Sequence, residues 1–304
     1  MINDSSIILF FLSLLCAPIL LSVINRTKAI FAGRTGQPIL QVYFDLIKLM
    51  RKGTVYSQTT TWIFRIAPLI SLAGVMTTLL LIPWGKIPAP FTFTGDFILV
   101  FYLLGIGRFF TVIAALDTGS SFEGMGASRE VLFSAFTEPI LFATLITLVR
   151  LTDEASLTNL FHGITPFLWT TSGAALILVA VIIFVILLTE NSRIPVDDPN
   201  THLELTMIHE VMVLDYSGPD FAFILYGASL KLWLFSALLA GIIVPIHTDN
   251  VLVDGSIFLL CMLAIAVAVG VVESLMARLR LVLVPRMLVG AGAIAAVCIY
   301  LTLK

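Results

Sequence analysis

Residues 190–218, ENSRIPVDDPNTHLELTMIHEVMVLDYSG, lie between two long apolar runs. Continued to residue 220, the stretch holds seven carboxylates, Glu190, Asp197, Asp198, Glu204, Glu210, Asp215 and Asp220, of the 19 in the chain. Arg193 alone opposes them. Acid at that density, flanked by runs that avoid charge, marks a polar connection between membrane spans, so the runs on either side decide the fold.

The whole chain supports that reading. It has 304 residues, 59% hydrophobic and 12% charged, whereas soluble domains carry about a quarter charged residues. A span needs roughly 20 apolar residues to cross about 30 Å of hydrocarbon. Eight runs qualify, near 6–24, 62–83, 97–116, 131–149, 167–189, 221–245, 255–275 and 287–303. Asn3 and Asp4 stand where a signal peptide has its basic region, and no small-residue cleavage site follows, so the first run reads as a retained span. The expected fold is all-α: one polytopic membrane domain, 1–304, with polar loops near 25–61, 117–130, 190–220 and 276–286.

Lys and Arg in short loops orient such a chain, because cytoplasmic loops carry the excess. Arg26, Lys28, Arg34, Lys48, Arg51 and Lys52 follow span 1, and Arg278, Arg280 and Arg286 follow span 7. The alternate loops offer little beyond Lys86 and Arg150. Loops 1, 3, 5 and 7 are therefore expected in the cytoplasm of a prokaryote, both termini outside, and the protein in the cytoplasmic (inner) membrane. Within loop 1, ILQVYFDLIKLM places Ile39, Val42, Leu46, Leu49 and Met50 on about one helical face. That pattern suits an amphipathic helix at the membrane surface or on a partner, or one packed on the bundle.

Several chemistries are excluded. No basic patch suits nucleic acid. Cys16, Cys261 and Cys298 lie singly in three spans, so no clustered thiolates suggest zinc or iron–sulfur, and they read as small core residues. His202 and His209 flank Glu204 and Glu210 in THLELTMIHE, but without the i, i+4 spacing of a metallohydrolase helix. A structural or proton-carrying role is the better reading, with no metal. The chain has no phosphate loop, nucleophile elbow or dinucleotide fingerprint, and no catalytic residue is assigned.

Charges inside spans carry the functional signal. Arg108 lies in span 3, Glu138 in span 4, Lys231 in span 6 and Glu273 near the inner end of span 7. Each costs about 2.5–3.5 kcal/mol at mid-membrane, so each needs a partner or a wet cavity. Ion-paired ties between helices and a proton or ion relay are both open readings, and four charges in four spans favour the relay. Glu130 and Glu138 are eight residues apart, about 12 Å along a helix, so water would have to bridge them. Loop 3, LDTGSSFEGMGASRE, adds Asp117, Glu123, Arg129 and Glu130 on the side of loop 5. Like charges gathered there would raise carboxyl pKa values and permit exchange near neutral pH.

Taken in order, GRTGQPILQVYFDLIKLMRK, GRFFTVIAALDTGSSFEGMGASRE, TEP around Glu138, RIPVDDP, LDYSG, SLKL around Lys231 and ESLMARLRL resemble one family. It is the family of complex I subunit 1 (H-type) membrane proteins, and the closer resemblance is to its formate hydrogenlyase subunit 4, or group 4 [NiFe] hydrogenase, branch. The resemblance implies a subunit joining a peripheral redox arm to antiporter-like membrane subunits. [NiFe] and Fe–S clusters would belong to a hydrogenase-like large subunit and an Fe–S subunit, with no cofactor bound by this chain. It further implies a charged path that begins in loops 3 and 5 and enters the membrane through span carboxylates. Joined to the charges read above, the expected relay is Asp117, Glu123, Glu130, Glu138, Glu190, Asp197, Asp198, Glu204, Glu210, Lys231 and Glu273. Arg34, Arg108, Arg129, Arg193, Arg278 and Arg280 become docking or structural cations. Arg193, Pro195, Asp197 and Pro199 match the family's R-x-P-x-D-x-P turn. Asn200 and His202 replace glutamates of the complex I pattern, and Lys231 stands where complex I members carry Glu. Those departures favour a hydrogenase-type complex coupling electron transfer to proton or sodium movement. The alternative is a quinone-site subunit of a complex I-like NADH dehydrogenase, and a stand-alone ion transporter is a third reading.

Overall fold

A computed structural model describes residues 4–197, 207–245, 248 and 250–302. Among them lie eleven helices and no strand: α1 Asp4–Phe31, α2 Gln41–Met50, α3 Trp62–Leu79, α4 Asp96–Asp117, α5 Ser121–Thr152, α6 Leu157–Gly163, α7 Pro166–Glu190, α8 His209–Met212, α9 Gly218–Ile243, α10 Val251–Leu275 and α11 Leu283–Thr302. Eight of these, α1, α3, α4, α5, α7, α9, α10 and α11, are long and apolar enough to cross a membrane. The expected eight spans and all-α class are therefore present.

Local chemistry sets several boundaries. Thr61 and Thr165 cap α3 and α7 through their hydroxyls, with Pro166 pre-set in the first turn of α7, and Asn250 caps α10. Hairpin α3–α4, pair α1–α10 and pair α5–α11 pack around α7 and α9. The run from Leu230 to Ile242 in α9 is almost wholly buried, apart from Lys231, and forms the centre of the core. Loops 1, 3, 5 and 7 share one end, tied by Thr61 N–H to Asp117 (2.6 Å), Val55 N–H to Ser217 (3.0 Å) and Lys28 to Glu273 (2.8 Å). The opposite end is closed by Asp96, which accepts from Ser156 (2.9 Å) and from Leu157 N–H (2.8 Å) and so caps α6.

Helix α2 turns Val42, Leu46 and Leu49 toward α1 and α9, and the Tyr43 hydroxyl donates to Leu15 O. Ile39 and Met50, expected on the same face, remain exposed, as do Phe44 and Ile47. The helix thus packs on the bundle along one edge and keeps an apolar outer surface, as a surface helix does.

Two boundaries differ from the sequence reading. Helix α5 begins ten residues before the expected span, at Ser121, so Glu123, Arg129 and Glu130 share its axis with Glu138. Gly124, Gly126 and Ser128 read as loop chemistry, but Gly126 serves close packing instead. A Cβ there would lie 2.9 Å from Ile208 O and 3.0 Å from Met212. The second difference concerns loop 5. Glu190 is the last residue of α7, and residues 192–197 are all buried, so the start of the connection folds into the bundle rather than out into solvent.

Candidate functional site

Arg108 points from α4 into the space between α5, α7 and α9. Its Nη2 donates to Glu190 Oε2 at 2.6 Å, its Nη1 meets Glu138, and its Nε lies 3.5 Å from Glu130 Oε1. Lys231 from α9 reaches the same Glu190 oxygen at 2.8 Å, and the Thr137 hydroxyl donates to Glu190 Oε1 at 2.7 Å. Two cations thus face three carboxylates, leaving one negative charge in excess. Arg108 and Glu190 are nearly buried, with side chains 10% and 6% exposed, whereas Glu138 is 49% exposed on the outer flank of α5. Beside this cluster is a cavity of about 60 Å³ lined by Arg108, Glu130, Lys231, Thr111 and Met212. Apolar side chains, Val75, Leu103 and Leu104 among them, line it too, and it is large enough for water held by the charged groups. The bridge expected between Glu130 and Glu138 is instead the Arg108 guanidinium, which touches both.

A second network lies at the polar end of α1 and α10. Glu273, buried, is held by Lys28 at 2.8 Å and by Arg193 at 3.4 Å. Arg278 pairs with Asp197 at 2.9 Å, whose other oxygen accepts from Ile208 N–H at 2.9 Å. Leu279 N–H donates to Pro195 O at 2.9 Å. The R-I-P-V-D turn is therefore clamped between α10 and the start of α8.

A third set ties loop 1 to loops 3 and 5. Asp117 Oδ2 accepts from Thr61 N–H and its hydroxyl (2.6 and 2.9 Å). Tyr56 donates to Asp220 at 2.6 Å, with the Arg65 guanidinium 4.6 Å from its ring. Glu123 is buried and accepts from Asp215 N–H at 3.3 Å. Tyr216 stacks on Phe64 at 3.9 Å and donates to Phe64 O, and burial pushes its phenol pKa above the ordinary value.

The sequence-derived residues thus divide. Arg108, Glu130, Glu138, Glu190 and Lys231 meet in one cluster; Arg193, Asp197, Glu273 and Arg278 in another; Asp117 and Glu123 are near loop 1 and Asp215. Arg129 donates to Met207 O at 2.9 Å, and Glu210 begins α8 beside His209. Arg34 and Arg280 are exposed on the polar end. Asp198 and Glu204, with His202, lie outside the described residues. The expected crowding of like charges is not what forms at Arg108, because cations interleave with the acids. Lys28 and Thr137 were missed as site residues. Lys28 looked like an orienting loop charge, and Thr137 is adjacent to Glu138 but carries no charge to mark it. Among the described residues, no three or more His, Cys, Asp or Glu side chains are grouped to hold a metal.

Residues 5–303 match the model of the family described as NADH dehydrogenase. Formate hydrogenlyase subunit 4 of Escherichia coli (strain K12) is 30% identical over 277 residues, 89% of each chain. Hydrogenase-4 component C of the same organism is 27% identical over 280 residues, 89% of this chain and 86% of that one. A chain in the solved structure of the membrane-bound sulfane sulfur reductase, an archaeal respiratory membrane complex, has a TM-score of 0.83 over 98% of both chains. At 18% identity that match is a likeness of fold.

Proposed function

The chain belongs to the NADH dehydrogenase family, and on that premise we propose that it is a membrane subunit of a hydrogenase or formate hydrogenlyase-type complex. In this reading its polar end docks an Fe–S subunit and a hydrogenase-like large subunit, whose clusters do the electron chemistry. Antiporter-like subunits adjoin it laterally. The polar end faces the cytoplasm and both termini face outward, in keeping with the basic loops 1 and 7. Arg34 and Arg280, exposed there, are available to a docked arm.

One observation carries the coupling role. The Arg108 cluster runs from Glu130, below the folded-in loop 5, to Glu138, half-exposed on the outside of a membrane span. A carboxylate presented there is costly against lipid, and a neighbouring subunit would cover it. A charge change at the docked arm would alter the field on Asp197 and Glu130. Protonation of Glu130 weakens its hold on Arg108, the guanidinium shifts toward Glu138 and Glu190, and the disturbance passes laterally.

Tagged purification from native membranes with identification of the bound chains tests the assembly. A partner large subunit with paired CxxC motifs is expected, and recovery of this chain alone contradicts the proposal. Glu138→Gln tests coupling: it should leave assembly and redox turnover intact while lowering redox-driven ion transport. Normal transport by that variant removes Glu138 from the path.

A further inference from the structure

The carboxylates around Arg108 are largely occupied. Glu190 uses both oxygens, on Thr137 and on the two cations, and Glu138 is engaged by Arg108. Glu130 is the exception, touching Arg108 only at 3.5 Å and facing the cavity beside it. A proton arriving at the cluster needs a carrier that titrates near neutral pH and stands between Glu130 and the polar surface. Histidine is the side chain whose ordinary pKa suits that task.

The candidate is His209. It opens α8, whose approach is pinned on both sides: Arg129 donates to Met207 O, and Ile208 N–H donates to Asp197, each at 2.9 Å. One turn further, about 5 Å along the axis, Met212 lines the cavity with Glu130, Arg108 and Lys231. The closeness of α8 to α5 is fixed by Gly126, where any side chain would strike Ile208 O and Met212. His209 itself is partly exposed.

We infer that His209 is the group through which the Arg108 cluster exchanges protons with the polar face of the protein, an inference that rests on the coupling role proposed for that cluster. The charged groups whose fields act on it are Glu130 on α5, Lys231 on α9 and Asp197 in the turn after α7, with Glu210 next to it on α8. Burial holds its pKa below the ordinary imidazole value; Glu130 and Asp197 act upward, and Lys231 acts downward. The resting ring is therefore neutral. An imidazole nitrogen takes a proton from water at the polar face and becomes imidazolium, the hydroxide passing to bulk solvent. The imidazolium then gives an N–H proton, through cavity water, to the Glu130 carboxylate, which becomes a carboxylic acid as the ring returns to neutral. Asp197, tied to Arg278, tunes the first step, so the second ionic network regulates proton intake by the first.

Two measurements test this. In the full chain reconstituted in bilayers with 15N-labelled histidine, the resonance lost in His209→Gln identifies the ring. Its midpoint should lie below the ordinary value, and Glu130→Gln should lower it further by removing a charge that favours imidazolium. A midpoint indifferent to Glu130 overturns the inference. In native membranes, His209→Gly should lower redox-driven proton uptake by about a hundredfold, the low end for a lost acid–base group, with added imidazole restoring it. His209→Gln, which keeps the shape of the site, should be equally slow and insensitive to imidazole. Normal uptake by assembled His209→Gln overturns the inference while leaving the coupling role intact if Glu138→Gln is still impaired.

Discussion

Replacing Arg108 by methionine removes the one group that touches Glu130, Glu138 and Glu190 together. The cluster goes from one excess negative charge to two, with Lys231 left as its only cation. Breaking a buried pair by deleting one partner costs about 3–5 kcal/mol, because the other charge stays buried. Glu138 is half-exposed and contributes under about 1 kcal/mol, and Glu190 keeps Lys231 and Thr137, so the cost falls at the lower figure, about 3 kcal/mol. At about 2–4 °C per kcal/mol, Arg108→Met should lower Tm by roughly 6–12 °C. The double variant Arg108→Met/Glu190→Gln returns the cluster to one excess charge and should recover at least half of the loss. A fluorogenic thiol dye in detergent can follow unfolding, since Cys16, Cys261 and Cys298 are free and none is exposed. A single variant melting with the wild type, or a double variant melting below the single, would refute the charge-balance argument.

The other predictions rest on separate features. Gly218 has φ +59°, and a Cβ there would lie 2.7 Å from Gly53 O; Gly218→Ala should therefore lower Tm by several degrees, and an unchanged Tm would show that loop 1 does not lie against α9 as described. Asp117→Ala removes the acceptor for the Thr61 N–H and hydroxyl, and should cost about 1 kcal/mol, as a lost cap does, in the same dye assay. For pH, His209 is held below its unfolded value. As pH falls below about 6.5, the unfolded chain takes up a proton that the folded chain resists. Wild type should therefore lose stability relative to His209→Gln between pH 7 and 5 and match its slope above pH 7; parallel curves throughout would contradict the shift.

The spans were legible because a bilayer demands uninterrupted apolar length, and each apolar run became a helix. Arg108, Glu138, Lys231 and Glu273 stood out for the same reason, as charges where charge is costly. Their pairing was not legible. Lys28 and Glu273 meet across most of the chain length, and nothing in either neighbourhood signals the other. The early start of α5 was hidden because glycine at 124 and 126 suggests a turn, whereas close approach of α8 requires it at 126. The inward fold of residues 192–197 was hidden because proline beside paired aspartates reads as a solvated turn. Contact with Arg278 and with the Ile208 N–H offsets the burial of Asp197.

That burial accounts for the acid concentrated after α7. An acid inside a membrane bundle persists if a cation or a row of N–H donors meets it, and each described carboxylate at the start of the stretch is met by a different element. Glu190 takes Arg108 from α4 and Lys231 from α9, while Asp197 takes Arg278 from beyond α10 and the N–H of Ile208. One connection thereby stitches four elements through charge as well as through the apolar packing of Ile194, Val196 and Ile208. Packing resists any shift of a helix, but an ion pair gives way when one proton is added. The ion pairs of this segment are therefore the contacts through which the proposed coupling would pass a charge change at the polar surface to the spans.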